Sequence, residues 1–275
     1  MVSRVLIVDF MYLWNRVYAI KGRDTVAHIY NSFKYVDDSD YYDEKLIVLD
    51  GLHSTNGRRK IHADYKTNRG DKSKLYQLMN VFLDAAATSY KTLAFLKNDE
   101  YEADDLITAL VKNYEDADKY IYSGDTDLYQ LLRFPRTYIG TKYTKGMIIK
   151  PIKTEDANNC YKKRYKLDVE NPSYIIKCKT FKGDTSDNIP IACPGMKSKT
   201  INYLISEFWS NDEPLNSTIL FNMAKYLKST NTKEFNNFYE NRASLIRNYK
   251  LCQLGYSESS VLENTKQLRE DGTWQ

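Results

Sequence analysis

The chemistry open to this sequence rests on nine acidic residues: Asp9, Asp50, Glu102, Asp104, Asp105, Asp125, Asp127, Asp184 and Asp187. Asp9 and Asp50 each close a short apolar run, Val5 to Val8 and Leu46 to Leu49. Glu102, Asp104 and Asp105 open a helical pattern, in which positions i and i+3 share a face, so Glu102 and Asp105 can converge. Asp125 and Asp127 follow the run Tyr120 to Tyr122 at a spacing of two, which puts them on one side for as long as strand geometry lasts. Asp184 and Asp187 lie in the loop Gly183-Asp184-Thr185-Ser186-Asp187-Asn188-Ile189-Pro190. Carboxylates gathered closely repel one another unless a proton or a cation neutralises them. A donor set made only of oxygen selects a hard ion, Mg²⁺ or Mn²⁺. Each acid also has a plainer reading. Acids at a helix start are caps or dipole partners, an Asp at a strand end is a turn residue, and the Gly183 loop alone fits a calcium loop or ordinary turn chemistry. Only their combination, in this order, points to metal-dependent catalysis.

Elements must exist to position these acids, and the pattern supplies them. The short apolar runs ending in acids read as buried strands of a parallel sheet. Helical patterns, notably 73–88 and 104–115, separate them and predict an α/β layout. Ligands of such sheets bind at the carboxyl ends of the strands, where these acids fall. Beyond about residue 154 the pattern turns helical. Pro172 opens a helix through Ile175, Ile176 and Phe181, and a further helix is predicted over Ser198 to Trp209. Phe235, Tyr239, Ile246 and Tyr249 recur at helical spacing and predict the core face of another. The last twenty residues are polar and read as a loose tail.

Composition narrows the classes. With 275 residues, 42% hydrophobic and 28% charged, an ordered globular chain is expected. No run of about 18 apolar residues suggests a membrane span. Cys160, Cys178, Cys193 and Cys252 form no Cys-x-x-Cys pair and read as free thiols of a reducing cytoplasm. With only His28, His53 and His62 beside them, a zinc site is not expected. The net charge of +4 hides an uneven distribution. Arg58, Arg59, Lys60, Lys66, Arg69, Lys72 and Lys74 cluster directly after the Asp50 strand, opposed only by Asp64 and Asp71. Such a run is commonly a solvated face, but here it sets cations beside the acids. Tyr65 within it suits either base stacking or buried packing.

Together these stretches resemble the 5′ nuclease family, which includes flap endonucleases and the 5′-exonuclease domains attached to bacterial DNA polymerases. The matching segments are Leu6-Ile7-Val8-Asp9, Val48-Leu49-Asp50-Gly51, Tyr101-Glu102-Ala103-Asp104-Asp105-Leu106-Ile107, Ser123-Gly124-Asp125-Thr126-Asp127-Leu128-Tyr129-Gln130-Leu131 and the Gly183 to Pro190 loop. The stand-alone length is similar to that of phage members. The resemblance implies a PIN-like fold: a mostly parallel central sheet flanked by helices, a helical arch over about 66–90, and a helix–three-turn–helix over about 172–209. The expected organisation is a nuclease core over 1–153, a duplex-binding helical region over 154–255 and a polar tail over 256–275.

The resemblance also implies roles. Asp9, Asp50, Glu102 and Asp104 would hold a first metal, and Asp125, Asp127 and Asp184 a second, with Asp104 or Asp125 near both. Asp105 and Asp187 match further acids of the cluster. Lys66 would contact the scissile phosphate and Arg69 would steer it. Arg58, Arg59, Lys60, Tyr65, Lys72, Lys74, Lys197 and Lys199 would bind nucleic acid. The helix–three-turn–helix implies a K⁺ ion, although Lys197 stands where the family often has glycine. Phe10 likewise replaces the glycine that often follows the first aspartate. The implied function is metal-dependent cleavage near 5′ ends or flaps of DNA or RNA–DNA, as in primer removal, by a cytoplasmic monomer that meets replication proteins through its tail. Two rivals share part of the pattern: a PIN-like ribonuclease, which does not account for the Gly183 loop, and a non-catalytic DNA-binding protein with a structural metal, which needs fewer acids.

Overall fold

The computed structural model of the chain describes residues 2–70, 73–144, 147–148, 151–209, 212–254 and 258–275. In chain order, β1 (Arg4–Asp9) leads into α1 (Phe10–Lys21) and α2 (Thr25–Asp37). Next come β2 (Glu44–Asp50), a short α3 (Asn56–Ile61), α4 (Ser73–Ser89), β3 (Leu93–Asn98) and α5 (Ala103–Asn113). After β4 (Asp118–Tyr122) a 3-10 helix (Thr126–Arg133) precedes β5 (Thr137–Gly140) and the ribbon β6 (Tyr143–Thr144) and β7 (Met147–Ile148). Five helices follow: α6 (Thr154–Tyr165), α7 (Tyr174–Lys182), α8 (Ser198–Phe208), α9 (Ser217–Thr230) and α10 (Thr232–Cys252). Finally come α11 (Glu258–Glu263) and β8 (Lys266–Gln267).

The chain forms two compact units. The first comprises Met1–Gly57, Gly70–Ile152 and Leu254–Gln275, and the second Arg58–Arg69 and Lys153–Gln253. The basic segment 58–69 therefore packs with the later helices, not with the 1–153 core in which the sequence placed it.

The first unit is built on a six-stranded sheet of order β5-β4-β1-β2-β3-β8, parallel except for β8. The predicted α/β architecture stands. Central parallel strands are buried on both faces, which explains why β1 reads as an unbroken apolar run. Leu6 and Val8 join Phe10, Trp14, Phe33, Phe82 and Phe95 in one core cluster, while Val5 and Ile7, one position out of step, face the other way. Phe10 accounts for the missing glycine: its ring is fully buried and stacks on Phe33 and Phe82. Helix α4, which falls within the span 66–90 expected for an arch, turns Leu75, Phe82, Leu83 and Ala86 into the same core.

The expected polar tail is instead folded into this unit. β8 pairs antiparallel with β3, matching Leu96 with Gln267 and Lys97 with Lys266. Trp274 packs on the core and lies under the Lys97 ammonium, 4.5 Å from the ring centroid. A polar segment can serve here because an edge strand needs backbone partners more than apolar side chains.

In the second unit, α10 corrects a predicted face. Tyr239 and Ile246, expected inside, are 51% and 39% exposed, while Phe238, Leu245 and Leu251 are buried. The helix carries two apolar stripes, and period alone does not say which is covered. The loop between α7 and α8 opens at Gly183, at φ +70°, where a Cβ would collide with the carbonyls of Ile189 and Pro190. Asp184 and Ile189 then exchange backbone hydrogen bonds of 2.8 and 2.7 Å, which closes the loop on itself.

Candidate active site

The acids of the first unit gather at the carboxyl ends of its parallel strands. Asp9 ends β1 and caps α1, its Oδ1 accepting from the Tyr12 amide at 3.0 Å. Its other oxygen accepts from the buried Ser123 hydroxyl at 2.7 Å. The same hydroxyl accepts from the Asp125 amide at 3.0 Å, so Ser123 ties Asp9 to the start of the Asp125 turn. Asp50 ends β2 and accepts from the Ala103 amide at 2.8 Å, which joins it to the first turn of α5. Glu102 occupies the cap position of α5, with Glu102 and Asp105 buried and Asp104 half-buried. Asp9, Asp50, Glu102, Asp104 and Asp105 thus crowd one end of the sheet, and the helix N-terminus there favours negative charge.

Electrostatics register the crowding. Burial raises the Asp9 carboxyl to about 7, and the neighbouring Asp125 and Asp50 add to the rise against the hydrogen bonds from Tyr12 and Ser123. A divalent cation would relieve this repulsion, and the available donors are all oxygen, so the residues fit Mg²⁺ or Mn²⁺. Among the described residues, no three His, Cys, Asp or Glu side chains already close on one point. Asp125 and Asp127 do not alternate along a strand, because β4 ends at Tyr122. Asp125 caps the 3-10 helix and accepts from the Asp127 amide at 2.8 Å.

The two acids of the second unit are engaged with cations. Asp184 has a fully buried side chain, with Lys179 Nζ at 2.5 Å and an Arg164 guanidinium nitrogen at 3.0 Å. Burial pushes its carboxyl up, but Lys179, Ser186 and Arg164 outweigh it and hold the pKa at about 2. Asp187 pairs with Arg69 at 3.0 Å, lies 4.0 Å from Lys66 Nζ and accepts from the Tyr65 hydroxyl at 3.3 Å. Lys66 itself takes left-handed backbone angles, φ +55°, and its amide donates to the Asp187 carbonyl. Segment 62–69 is laced to the loop further: Asn68 donates to Thr185 O and Asn188 to Asp64 O.

Several expected nucleic-acid contacts are corrected. Tyr65 is 2% exposed and packs with Ile176, Ile189 and Leu251, so its ring is not open to a base. Arg58 is buried and donates to the carbonyls of Leu251 and Gln253. Arg59 is exposed, although its Nε donates to Tyr65 O. Lys60, Lys74, Lys197 and Lys199 are exposed, and Lys72 lies outside the described residues. Lys197 takes extended angles, φ −68° and ψ 140°, so it needs none of glycine's freedom; Gly195, at φ +81°, does. The N-terminus of α8 already holds a carboxylate of its own chain: Glu234 accepts from the Lys197 amide and the Thr200 hydroxyl. The sequence reading passed over Ser123, Lys179 and Arg164. Ser123 opens the Ser123–Leu131 segment, and Lys179 lies in α7 five residues before Asp184.

Comparison with known proteins follows the same outline. The family described as 5′-3′ exonuclease, N-terminal resolvase-like domain, matches residues 4–162. DNA polymerase I of Bacillus subtilis (strain 168) is 32% identical over 184 residues, 64% of this chain and 19% of that protein. The thermostable DNA polymerase I of Thermus aquaticus is 28% identical over 230 residues, 78% of this chain and 25% of that protein. The chain thus spans about a fifth to a quarter of the length of these curated relatives. Among solved structures, a T5 5′-exonuclease with zinc bound superposes with a TM-score of 0.69 at 18% identity, covering 95% of this chain and 93% of that one. A bacteriophage T5 flap endonuclease in complex with DNA and metal ions gives 0.65 at 18% identity and the same coverage. At that identity the likeness concerns the fold.

Proposed function

The chain belongs to the family of 5′-3′ exonuclease N-terminal resolvase-like domains, and from that premise we propose that it is a divalent-metal-dependent 5′ nuclease acting near the 5′ ends or flaps of DNA. One observation carries this reading: four adjacent strands, β4, β1, β2 and β3, lead at one end of the sheet to Asp125, Asp9, Asp50 and Glu102.

We assign Asp9, Asp50, Glu102 and Asp104 to one metal and Asp125 and Asp127 to a second, with Asp105 acting through water. Mg²⁺ or Mn²⁺ bound there would activate a water and stabilise the leaving oxygen of a phosphodiester. Ser123 keeps Asp9 and the Asp125 turn in register. Asp184 and Asp187, included with the ligands on sequence grounds, are reassigned to internal ion pairs: Asp184 fixes the loop, and Asp187 orients Lys66 and Arg69. Those two cations are the ones we propose for the phosphate, with Arg59, Lys60, Lys72, Lys74, Lys197 and Lys199 holding the strand through contacts that carry no sequence information. A K⁺ ion at the Gly195 to Lys197 turn belongs to the same proposal and is tested by replacing K⁺ with Na⁺ in the binding buffer.

The relatives extend the reading. The polymerase similarity supports a place in replication, with RNA–DNA primers among the substrates. The T5 flap endonuclease was solved with DNA and metal ions. Among the described residues no helix is long and apolar enough to cross a membrane, and a cytoplasmic monomer is the arrangement proposed. The folded 258–275 segment makes it a poor free tail for partner proteins. The test is a panel of 5′-labelled flap, nicked, gapped and single-stranded substrates, in DNA and RNA, with Mg²⁺, Mn²⁺ or chelator. Metal-dependent release of short 5′ products from flap or nicked DNA is expected. Full activity in chelator, or cleavage of RNA alone, overturns the proposal.

A further inference from the structure

The segment 258–275 reaches the acidic end of the sheet through one buried side chain, Asn98. Asn98 ends β3 directly beside Asp50, its register partner at the end of β2. It is 1% exposed, and both polar atoms of its amide are used. Nδ2 donates to Val261 O of α11 at 2.8 Å, and Oδ1 accepts from the Glu100 amide at 2.9 Å. The first bond fixes the end of β3 to α11. The second sets the turn that carries the chain from β3 to Glu102.

This turn is held at every residue. The Asp99 carbonyl accepts from the His53 amide at 2.9 Å, and its carboxylate pairs with Lys266 at 2.7 Å. The Tyr101 hydroxyl lies 3.1 Å from Ser260 Oγ of α11. On the other side, Gly51 approaches so closely that a Cβ would collide with the Asn98 carbonyl and the Asp99 Cα. A shift of Asn98 is therefore felt at Asp50 and at Glu102 together. Asp50 ends β2 and Glu102 caps α5, and beside this turn the Asp50 carboxylate accepts from the Ala103 amide at 2.8 Å, so the two carboxylates move with the same short stretch of chain.

We propose that Asn98 is a positioning residue for the metal-binding carboxylates, and that α11, by gripping it, and β8, through Lys266 on the adjoining Asp99, set the affinity of the site for divalent ions. This rests on the function proposed above. Groups outside the ligand set that orient ligands commonly govern metal affinity by about ten- to a hundred-fold. Asn98 is suited to that role because its amide both donates to one element and accepts from the next, while apolar residues of its size do neither.

The experiment measures Mn²⁺ binding to the full chain, without nucleic acid, by electron paramagnetic resonance. Asn98→Leu keeps the branched shape with some added bulk and loses both hydrogen bonds, and Mn²⁺ binding should weaken by about ten-fold or more. Tyr101→Phe, which removes only the contact with Ser260, should weaken it less. Tyr90→Phe is the control: it loses a 2.9 Å hydrogen bond to Tyr30 O near the opposite end of β3, so it should lower the melting temperature and leave Mn²⁺ affinity alone. Excess Mn²⁺ should restore cleavage by Asn98→Leu, which a collapsed fold would not allow. Wild-type Mn²⁺ affinity in Asn98→Leu overturns the inference while leaving the proposed function standing. So does equal weakening in Tyr90→Phe, which would make the effect one of general stability. Absence of Mn²⁺ binding by the wild-type chain overturns the functional reading and this inference with it.

Discussion

Replacing Lys179 with methionine removes an ammonium from the interior while keeping most of its volume. Lys179 and Asp184 face each other at 2.5 Å with side-chain exposures of 1% and 0%. Deleting one partner of a buried pair costs about 3–5 kcal/mol, because the other charge is left without compensation. Asp184 would keep Arg164 at 3.0 Å and the amide and hydroxyl of Ser186. The lower end, about 3 kcal/mol, is therefore expected, roughly two decades in the folding equilibrium. Lys179→Met with Asp184→Asn should recover part of this, since the double variant buries no unmatched carboxylate. The assay is urea unfolding followed by Trp209 fluorescence, in a background where Trp14 and Trp274 are phenylalanine, so that the signal comes from the second unit. A double-mutant cycle isolates the pair. A coupling below about 0.5 kcal/mol would refute the reasoning, because Asp184 would then be held by Arg164 and Ser186 alone.

Three further outcomes are expected. Asp125→Asn should abolish most cleavage while duplex affinity, measured by anisotropy, stays near wild type or tightens; cleavage at the wild-type rate would reduce Asp125 to a turn residue. Lys66→Ala should slow single-turnover cleavage at saturating enzyme by roughly ten- to a thousand-fold, the scale of one lost electrostatic contact in the transition state, and Lys66→Arg should rescue only partly. An unchanged rate removes Lys66 from the catalytic residues. Tyr65→Phe loses the hydrogen bond to Asp187 but keeps the packed ring, so it should lower stability by about 1 kcal/mol without changing affinity for single-stranded DNA. A large loss of that affinity would return the Tyr65 hydroxyl to the nucleic-acid contacts.

The sheet and its acids were legible because both follow from short-range pattern. An apolar run ending in Asp at β1 and β2 states a buried strand and a polar terminus in the same six or seven residues. What stayed hidden depends on partners far along the chain. Arg58 reads as a surface cation until the carbonyls of Leu251 and Gln253, nearly two hundred residues later, receive it. Asp187 reads as a candidate metal ligand, and nothing near it in the sequence shows that it also pairs with Arg69, 118 residues earlier. Charge is visible in a sequence, but desolvation and pairing are not. The α10 stripe failed for a related reason: Tyr239 and Ile246 keep helical period, yet Phe238 and Leu245 keep it equally well and won the interior.

The pairing of β8 with β3 has a consequence for synthesis. Residues 97 and 266 are register partners, so about 170 residues must leave the ribosome between them. At translation rates of roughly 5–20 residues per second, the β3 edge waits about ten to thirty seconds for its neighbour. During that time its backbone groups are open to any passing strand. The helices of the second unit emerge in the interval and can fold from contacts among themselves. The sheet that carries the acids starts first and is finished last. A nascent chain caught before β8 emerges would hold Asp9 and Asp50 on paired strands, but the turn leading to Glu102 would still lack its grip on α11.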